Sequence, residues 1–288
     1  MQLTLGRTGI TTSALVLGCA RLGSALTPLG RRECVALIEE AFDLGVRHFD
    51  TASIYGQGDS ERYIGEALQN RRSQVCLSSK AGQRLGSKQA LMSRFKTPIR
   101  WLAARRGTLR QGVAAQRSKG IPRCFEPGYI ERSLHDSLRR LRTDHLDIFY
   151  LHSPDAEVLD DDELMASVDV LRAKGMFRAF GVSCDDEKVA WKAAAHGAVQ
   201  VVQFAFDDHP NGRSLLRELA CRGKLAVLRG FTASESRERL TGEALSLRFR
   251  QVLPLPALGG LIFGTTSAQH LRDNIAAFER AAAAERAA

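Results

Sequence analysis

Short apolar runs alternate along the chain with longer stretches in which apolar residues recur every three to four positions. Four to eight consecutive apolar residues bounded by turn residues are typical of a buried strand, and LVLG, beginning at Leu15, is the first such run. Residues 31–44 instead have the period of a helix, with Gly45 as a typical stop. The apolar face of this helix is predicted to consist of Cys34, Leu37, Ile38, Ala41 and Phe42.

The same alternation continues to the end of the chain and predicts eight strands, each followed by a helix. After LVLG, the predicted strands are VRHFD, VCLSSK, DIFYLH, FRAFGVS, VVQFAF, LAVLRG and LGGLIFG. Strands joined by crossover helices pair in parallel. Eight such units close into a (β/α)8 TIM barrel, a fold of about 250 residues. We therefore predict one α/β barrel domain over residues 1–288.

An open, doubly wound parallel sheet is the alternative architecture. That fold normally carries a GxGxxG motif between its first strand and first helix. The sequence GCARLGSA at this place does not have that spacing, so the barrel is favoured.

Three segments depart from the repeating pattern. The opening MQLTLGRTGITTS predicts a short N-terminal hairpin that could close the bottom of the barrel. The loops after strands three and seven, residues 82–125 and 231–243, are unusually long. In a barrel such loops lie at the C-terminal face, where active sites are built.

The net charge of +9 comes from one segment of the chain. Residues 84–123 contain eleven Lys or Arg and no Asp or Glu, and the remaining residues comprise 30 basic and 32 acidic ones. No nucleic-acid-binding motif accompanies this charge, so we expect no nucleic-acid partner.

This basic insertion, about residues 84–124, contains one predicted short helix, KTPIRWLAARRG. Thr97 is its expected N-cap, Pro98 its first residue and Gly107 its stop. Three interpretations stay open. The insertion could be a lid whose Trp101 or Phe95 touches the substrate, a binding site for an anionic partner, or a solvated loop.

The six cysteines are scattered and form neither a CxxC pair nor a Cys/His zinc motif. Scattered thiols in a chain of this length are typical of a reducing compartment. The N-terminus lacks the basic and apolar segments of a secretory signal, and no apolar run reaches the roughly 20 residues that span a bilayer. We therefore expect a cytoplasmic protein without a metal site or membrane span.

Four reactive side chains lie at predicted strand ends or just beyond them: Asp50, Tyr55, Lys80 and His152. In a barrel, these strand ends meet at one face. A buried Lys80 ammonium requires a counter-charge, which Asp50 would supply. A cation beside a phenol lowers its pKa from about 10, so Tyr55 would donate a proton near neutral pH. With His152 bound to the same substrate oxygen, the set predicts a proton relay towards a developing alkoxide.

The segments that contain these residues resemble the aldo-keto reductase family. They are LGRTGITTSALVLG, FDTASIYGQGDSERYIGEAL, LSSKAG, SLRRLRTDHLDIFYLHSPD and FGTTSAQHLRDNI, in that order. The resemblance implies an NAD(P)(H)-dependent oxidoreductase that interconverts a carbonyl (aldehyde, ketone or sugar) and an alcohol by hydride transfer. It implies that Tyr55 is the general acid or base, that Lys80 and Asp50 tune it, and that His152 orients the substrate. The YGQGDSE loop resembles branches that include aldose 1-dehydrogenases, so the direction of reaction stays open.

The resemblance also implies a nicotinamide site. Ser183 and Gln203 match residues that hold the carboxamide, but Cys184 replaces the usual Asn, and a thiol is a poor substitute for an amide. Arg229 replaces the aromatic residue that often stacks on the nicotinamide. A guanidinium can stack on a ring or reach a phosphate instead.

The adenine end of the cofactor is implied to bind at GTTSAQHLRDN. Four residues lead into a helix N-terminus, which favours anions: Gly264, Thr265, Thr266 and Ser267. Asn274 matches a family residue that contacts adenine. The resemblance implies NADP(H) rather than NAD(H), but His270 replaces the Arg that usually grips the 2′-phosphate, so a strict preference is not expected.

Two other functions remain as alternatives. One is a non-catalytic, cofactor-binding redox sensor that acts on a protein partner. The other is an anion-binding or nucleic-acid-binding protein that uses the basic insertion, which would bind polyanions in a salt-sensitive way. The four intact reactive residues favour the enzyme.

Overall fold

Ten strands lie within the residues that the computed structural model describes, which are 1–24, 27–84, 121–206, 210–230, 232 and 240–287. Two of them, β1 (Gln2–Thr4) and β2 (Thr11–Ser13), form an antiparallel hairpin. The other eight are β3 (Leu15–Gly18), β4 (His48–Asp50), β5 (Cys76–Ala81), β6 (Leu146–His152), β7 (Phe177–Cys184), β8 (Val201–Ala205), β9 (Leu225–Arg229) and β10 (Leu258–Phe263).

Strands β3 to β10 form a closed parallel barrel in which β10 pairs with β3. The neighbouring strands otherwise follow one another in chain order. The predicted (β/α)8 TIM barrel is therefore confirmed, and the alternative open sheet is wrong. Every barrel strand runs in the same direction, so all eight carboxyl ends reach one face.

Helices surround this barrel. The α-helices within the described ranges are α1 (Arg31–Asp43), α2 (Asp59–Leu68), α3 (Pro127–Leu141), α4 (Asp162–Ala173), α5 (Glu187–Ala195), α6 (Pro210–Cys221), α7 (Gly242–Val252) and α8 (Ala268–Ala287). Each buries an apolar stripe; in α1 the buried residues are the five predicted from the sequence. None of the described helices is long and apolar enough to cross a membrane.

Two apolar clusters fill the molecule. The larger lies between the barrel and the helices, and the smaller lies inside the barrel. Leu5 and Ile10, which flank the turn of the N-terminal hairpin, are fully buried in the smaller cluster. The hairpin therefore contributes side chains to the barrel interior, as predicted.

Gly181 makes room for the largest side chain inside the barrel. It is paired in register with Tyr150 on the neighbouring strand, and a Cβ at this position would lie 2.5 Å from the Tyr150 ring. Glycine therefore allows a complete aromatic ring to fill the interior at this level.

The irregular segments are described only in part. Most of the basic insertion, including its predicted helix, lies outside the described residues, as does most of the loop after the seventh barrel strand. Arg123 and Gln83 form an isolated bridge where the insertion returns to the barrel. The helix α3 that follows is confirmed.

Candidate functional site

A buried ion pair lies at the C-terminal ends of β4 and β5. The Lys80 ammonium donates to Asp50 Oδ2 at 2.5 Å and to the Thr51 carbonyl at 2.7 Å. Lys80 is 1 % exposed and Asp50 is 4 % exposed. The pairing predicted from the sequence therefore exists, and both charges are removed from water.

A tight turn over Tyr55–Gly58 carries the tyrosine. Gly56, Gln57 and Gly58 all have left-handed backbone conformations, with φ of 55°, 63° and 86°. A Cβ at Gly56 would lie 2.6 Å from the carbonyl carbon of Gly23. Only glycine at this point lets the turn pack directly on the loop after β3, which fixes the partly buried Tyr55 at the rim of the barrel.

Tyr55 lies beside both Lys80 and His152. The Lys80 Nζ is 5.2 Å from the centre of the Tyr55 ring, and the Tyr55 and His152 rings meet edge to face at 5.6 Å. His152 Nδ1 is buried and has no hydrogen-bond partner among the described residues. The structure thus brings all four predicted catalytic residues, Asp50 included, to one opening of the barrel.

Burial determines how Tyr55 and His152 ionise. Desolvation raises the pKa of Tyr55 above its usual value; Lys80 lowers it and Asp50 raises it. The predicted lowering by Lys80 is present, but desolvation has the larger effect, so the net change in the pKa of Tyr55 is upward. Burial also lowers the pKa of His152 well below its usual range, reinforced by Lys80 and Arg229. Its imidazole is therefore neutral near pH 7.

Asp50 has two further hydrogen-bond donors inside the barrel. Ser78 Oγ and Gln203 Nε2 donate to Asp50 Oδ1 at 2.9 Å and 3.0 Å. Ser183 Oγ in turn donates to Gln203 Oε1 at 2.8 Å. The two residues predicted to hold the nicotinamide carboxamide are thus hydrogen-bonded to each other, and Gln203 connects them to Asp50.

Sequence reasoning missed Ser78, together with His48, whose Nε2 lies 3.2 Å from Ser78 Oγ. A signal for both was present in the sequence. His48 and Asp50 are two residues apart on β4, as are Ser78 and Lys80 on β5, and strand residues two apart share a face. The period of two therefore places both residues inside the barrel beneath the site.

Cys184 and Arg229 differ in their surroundings. Cys184 belongs to the apolar cluster between barrel and helices, and burial raises the pKa of its thiol to about 12. The Arg229 guanidinium donates to the Cys184 carbonyl at 2.8 Å and pairs with Asp185. Asp185 also accepts a hydrogen bond from Ser153 Oγ at 2.5 Å. Arg229 is thereby held at the rim, and the predicted cofactor contacts of both residues stay predictions.

The predicted adenine segment forms the start of α8. Ser267 Oγ accepts a hydrogen bond from the His270 amide at 3.3 Å, and Thr265 Oγ1 accepts one from the Ser267 amide at 3.0 Å. Asn274 is buried and donates to the His270 carbonyl at 2.7 Å. Gly264 and Thr266 complete the turn that leads into the helix. This segment forms a capped helix N-terminus, and its contacts with a cofactor stay predictions.

The site combines a neutral phenol, a neutral imidazole and a buried ammonium at one opening. A phenol and an imidazole side by side can both hydrogen-bond to one ligand oxygen, and a fixed cation stabilises phenolate as it forms. The described residues contain no group of three or more His, Cys, Asp or Glu side chains arranged as metal ligands. The geometry suits proton transfer to a carbonyl oxygen or from a hydroxyl group.

Comparison with known proteins gives a consistent result. The model of the Aldo/keto reductase family matches residues 14–210. Pyridoxal 4-dehydrogenase from Microbacterium luteolum is 33% identical over 150 residues, covering 51% of this chain and 42% of that protein. D-threo-aldose 1-dehydrogenase from a Pseudomonas species is 31% identical over 206 residues, covering 68% and 57%. The chain spans about half the length of the curated relatives it matches.

A solved structure extends the likeness to the whole fold. An aldo-keto reductase from Bacillus halodurans, in its holo form, has a TM-score of 0.73 and covers 96% of this chain and 90% of its own. Its sequence is 22% identical, so this likeness concerns the fold alone.

Proposed function

This chain belongs to the aldo/keto reductase family, a family of oxidoreductases, and on that basis we propose that it interconverts a small carbonyl compound and an alcohol. Tyr55 donates the proton to the carbonyl oxygen in reduction and removes it from the alcohol in oxidation. The observation that carries this proposal is the grouping of a buried Asp50–Lys80 ion pair with Tyr55 and His152 at one opening.

Each residue of this set has a distinct role in the proposed reaction. The neutral His152 orients the substrate oxygen towards the Tyr55 hydroxyl, because both rings border the same space. Lys80 stabilises the phenolate that forms when Tyr55 gives up its proton. Asp50 holds Lys80 in place and keeps its charge compensated before the reaction.

The residues that would hold a nicotinamide cofactor fit that group. Gln203 and Ser183 present amide and hydroxyl groups to the barrel interior, and the Gln203 amide retains hydrogen-bonding capacity beyond its two bonds. The N-terminus of α8, capped by Ser267, offers backbone amides to a phosphate. When bound, the nicotinamide supplies or accepts the hydride.

NADP(H) is proposed as the preferred form of the cofactor over NAD(H). The exposed His270 lies next to the proposed phosphate site and can donate a hydrogen bond to a 2′-phosphate, although less strongly than an arginine. Arg229, held by Asp185, is proposed to face the cofactor at the rim.

The substrate is proposed to be an aldehyde or sugar. The relatives that match include a D-threo-aldose 1-dehydrogenase and a pyridoxal 4-dehydrogenase, whose names describe oxidation of a sugar and of pyridoxal. A cytoplasmic location is proposed as well, since all six cysteines are free thiols.

Tyr55→Phe tests the function, with Tyr129→Phe as the matched control. Tyr129 is a second partly buried tyrosine and lies on α3. Its hydroxyl donates to the Gln83 carbonyl at 3.3 Å. With NADPH and NADH and a panel of aldehydes, ketones and sugars, we expect Tyr55→Phe to lose turnover at least 100-fold and to keep cofactor binding in a fluorescence titration. Tyr129→Phe should keep both.

Two results would contradict the proposal. Equal turnover by Tyr55→Phe and the parent would remove Tyr55 from the reaction. Cofactor binding by a parent that turns over no member of the panel would favour the non-catalytic redox sensor.

A further inference from the structure

Two side chains inside the barrel form a polar branch that ends on Asp50. His48 Nε2 lies 3.2 Å from Ser78 Oγ, and Ser78 Oγ donates to Asp50 Oδ1 at 2.9 Å. None of the three residues is more than 4 % exposed. Ser78 is paired in register with Asp50 across β4 and β5, so the branch is built into the two strands that also carry the ion pair.

The direction of each hydrogen bond follows from the chemistry of the groups. The Asp50 carboxylate, paired with Lys80, can only accept, so the single hydroxyl hydrogen of Ser78 points to Asp50. His48 Nε2 must then carry the hydrogen that is donated to Ser78 Oγ. Burial lowers the pKa of His48 to about 4; Lys80 reinforces this change, and Asp50 and Asp147 oppose it. The ring is therefore neutral, protonated on Nε2 and unprotonated on Nδ1.

Retaining an imidazole at this position is unfavourable for stability alone. His48 Nδ1 is buried and has no hydrogen-bond partner among the described residues, and a buried polar atom without a partner destabilises the folded state. Other interior positions hold apolar side chains such as Ile148, Val201 and Val227. An imidazole that destabilises the folded state is therefore expected among these apolar residues only where it orients a functional group.

We propose that Ser78, supported by His48, is a positioning residue for Asp50. Without the Ser78 hydroxyl, Asp50 Oδ1 keeps only Gln203 Nε2 as a donor, so the carboxylate is held less tightly about its Cβ–Cγ bond and fixes Lys80 less precisely. The ammonium then stabilises the developing Tyr55 phenolate less well. This inference rests on the proposed function and assigns no proton transfer to Ser78 or His48.

Ser79 provides a matched control on the same strand. It is also fully buried and donates to a carboxylate, Glu61 Oε1, at 2.6 Å, but Glu61 belongs to α2 outside the barrel. We expect Ser78→Ala to lower kcat about tenfold, with KM changed less than about twofold. Ser79→Ala should lose comparable stability and keep kcat within about twofold of the parent. Ser78→Thr, which retains the hydroxyl, should recover most of kcat.

Nitrogen-15 NMR of the His48 imidazole tests the branch without turnover. We expect a neutral ring protonated on Nε2, whose Nε2 resonance shifts in Ser78→Ala and not in Ser79→Ala. An Nδ1-protonated ring, or a resonance that both variants leave unchanged, would overturn the hydrogen-bonded branch.

The kinetic results separate this inference from the proposed function. A parent protein without turnover of any carbonyl or alcohol would overturn the proposed function and the catalytic part of the inference, whatever the NMR shows. Turnover in the parent with equal kcat in Ser78→Ala and Ser79→Ala would overturn the positioning role alone.

Discussion

Replacing Lys80 with methionine removes one partner of the buried ion pair and keeps the length of the side chain. Lys80 and Asp50 are 1 % and 4 % exposed, with Nζ and Oδ2 2.5 Å apart. Removing one partner of such a pair destabilises a protein by about 3–5 kcal/mol, because the remaining charge is buried without compensation. Asp50 keeps Ser78 and Gln203 as donors, so we expect a loss of about 3 kcal/mol, the lower end of that range.

Asp50→Asn leaves the Lys80 ammonium with the Thr51 carbonyl and a neutral amide, so we expect a larger loss of about 4 kcal/mol. The double variant should lose less than the sum of the two, since it contains neither unpaired charge. Urea unfolding at pH 7, followed by circular dichroism, measures all three free energies. Additive losses, or a loss below about 1 kcal/mol for Lys80→Met, would show instead that the pair contributes no more than an exposed salt bridge.

Three other substitutions test the barrel interior and the start of α8. The pKa of His48 is about 4 in the folded protein and about 6.5 in an unfolded chain, so the unfolded state takes up the extra proton as pH falls between these values. Stability should fall by about 3 kcal/mol between pH 7 and pH 4 from this group, and His48→Gln should remove that part of the slope in urea titrations; parallel slopes would contradict it. Gly181→Ala should destabilise by about 1–3 kcal/mol because its Cβ would overlap the Tyr150 ring, and an unchanged Tm in calorimetry would argue against that overlap. Ser267→Ala should lose about 1 kcal/mol with the N-cap bond to the His270 amide and should weaken NADPH binding in a fluorescence titration; unaltered affinity would separate the cap from the cofactor.

The barrel itself was predictable from periodicity along the chain. Buried strands and amphipathic helices differ in the spacing of their apolar residues, and that spacing is a local property. Eight repeats of one strand–helix unit, of a length typical of the fold, then left few other architectures. The positions of Asp50, Lys80 and His152 followed as well, because parallel strands end at the same face.

The interior of the barrel was harder to predict, although part of the signal was local. His48 and Ser78 each lie two residues before a predicted catalytic residue, and the period of two assigns them to the same face. The bond between them depends on the register of β4 against β5, which periodicity does not determine. A shift of one residue would place the same side chains among the helices.

The amino-acid sequence was enough to predict the order of strands and helices, the family, and the set of four reactive residues at one end of the barrel. How those residues behave depends on the folded structure. The net rise in the pKa of Tyr55 depends on how completely solvent is removed from the phenol, relative to the pull of Lys80. The contact of Arg229 with Asp185, 44 positions apart in the sequence, depends on the closure of the barrel. Desolvation and distances between remote segments are properties of the folded chain, and no local pattern encodes them.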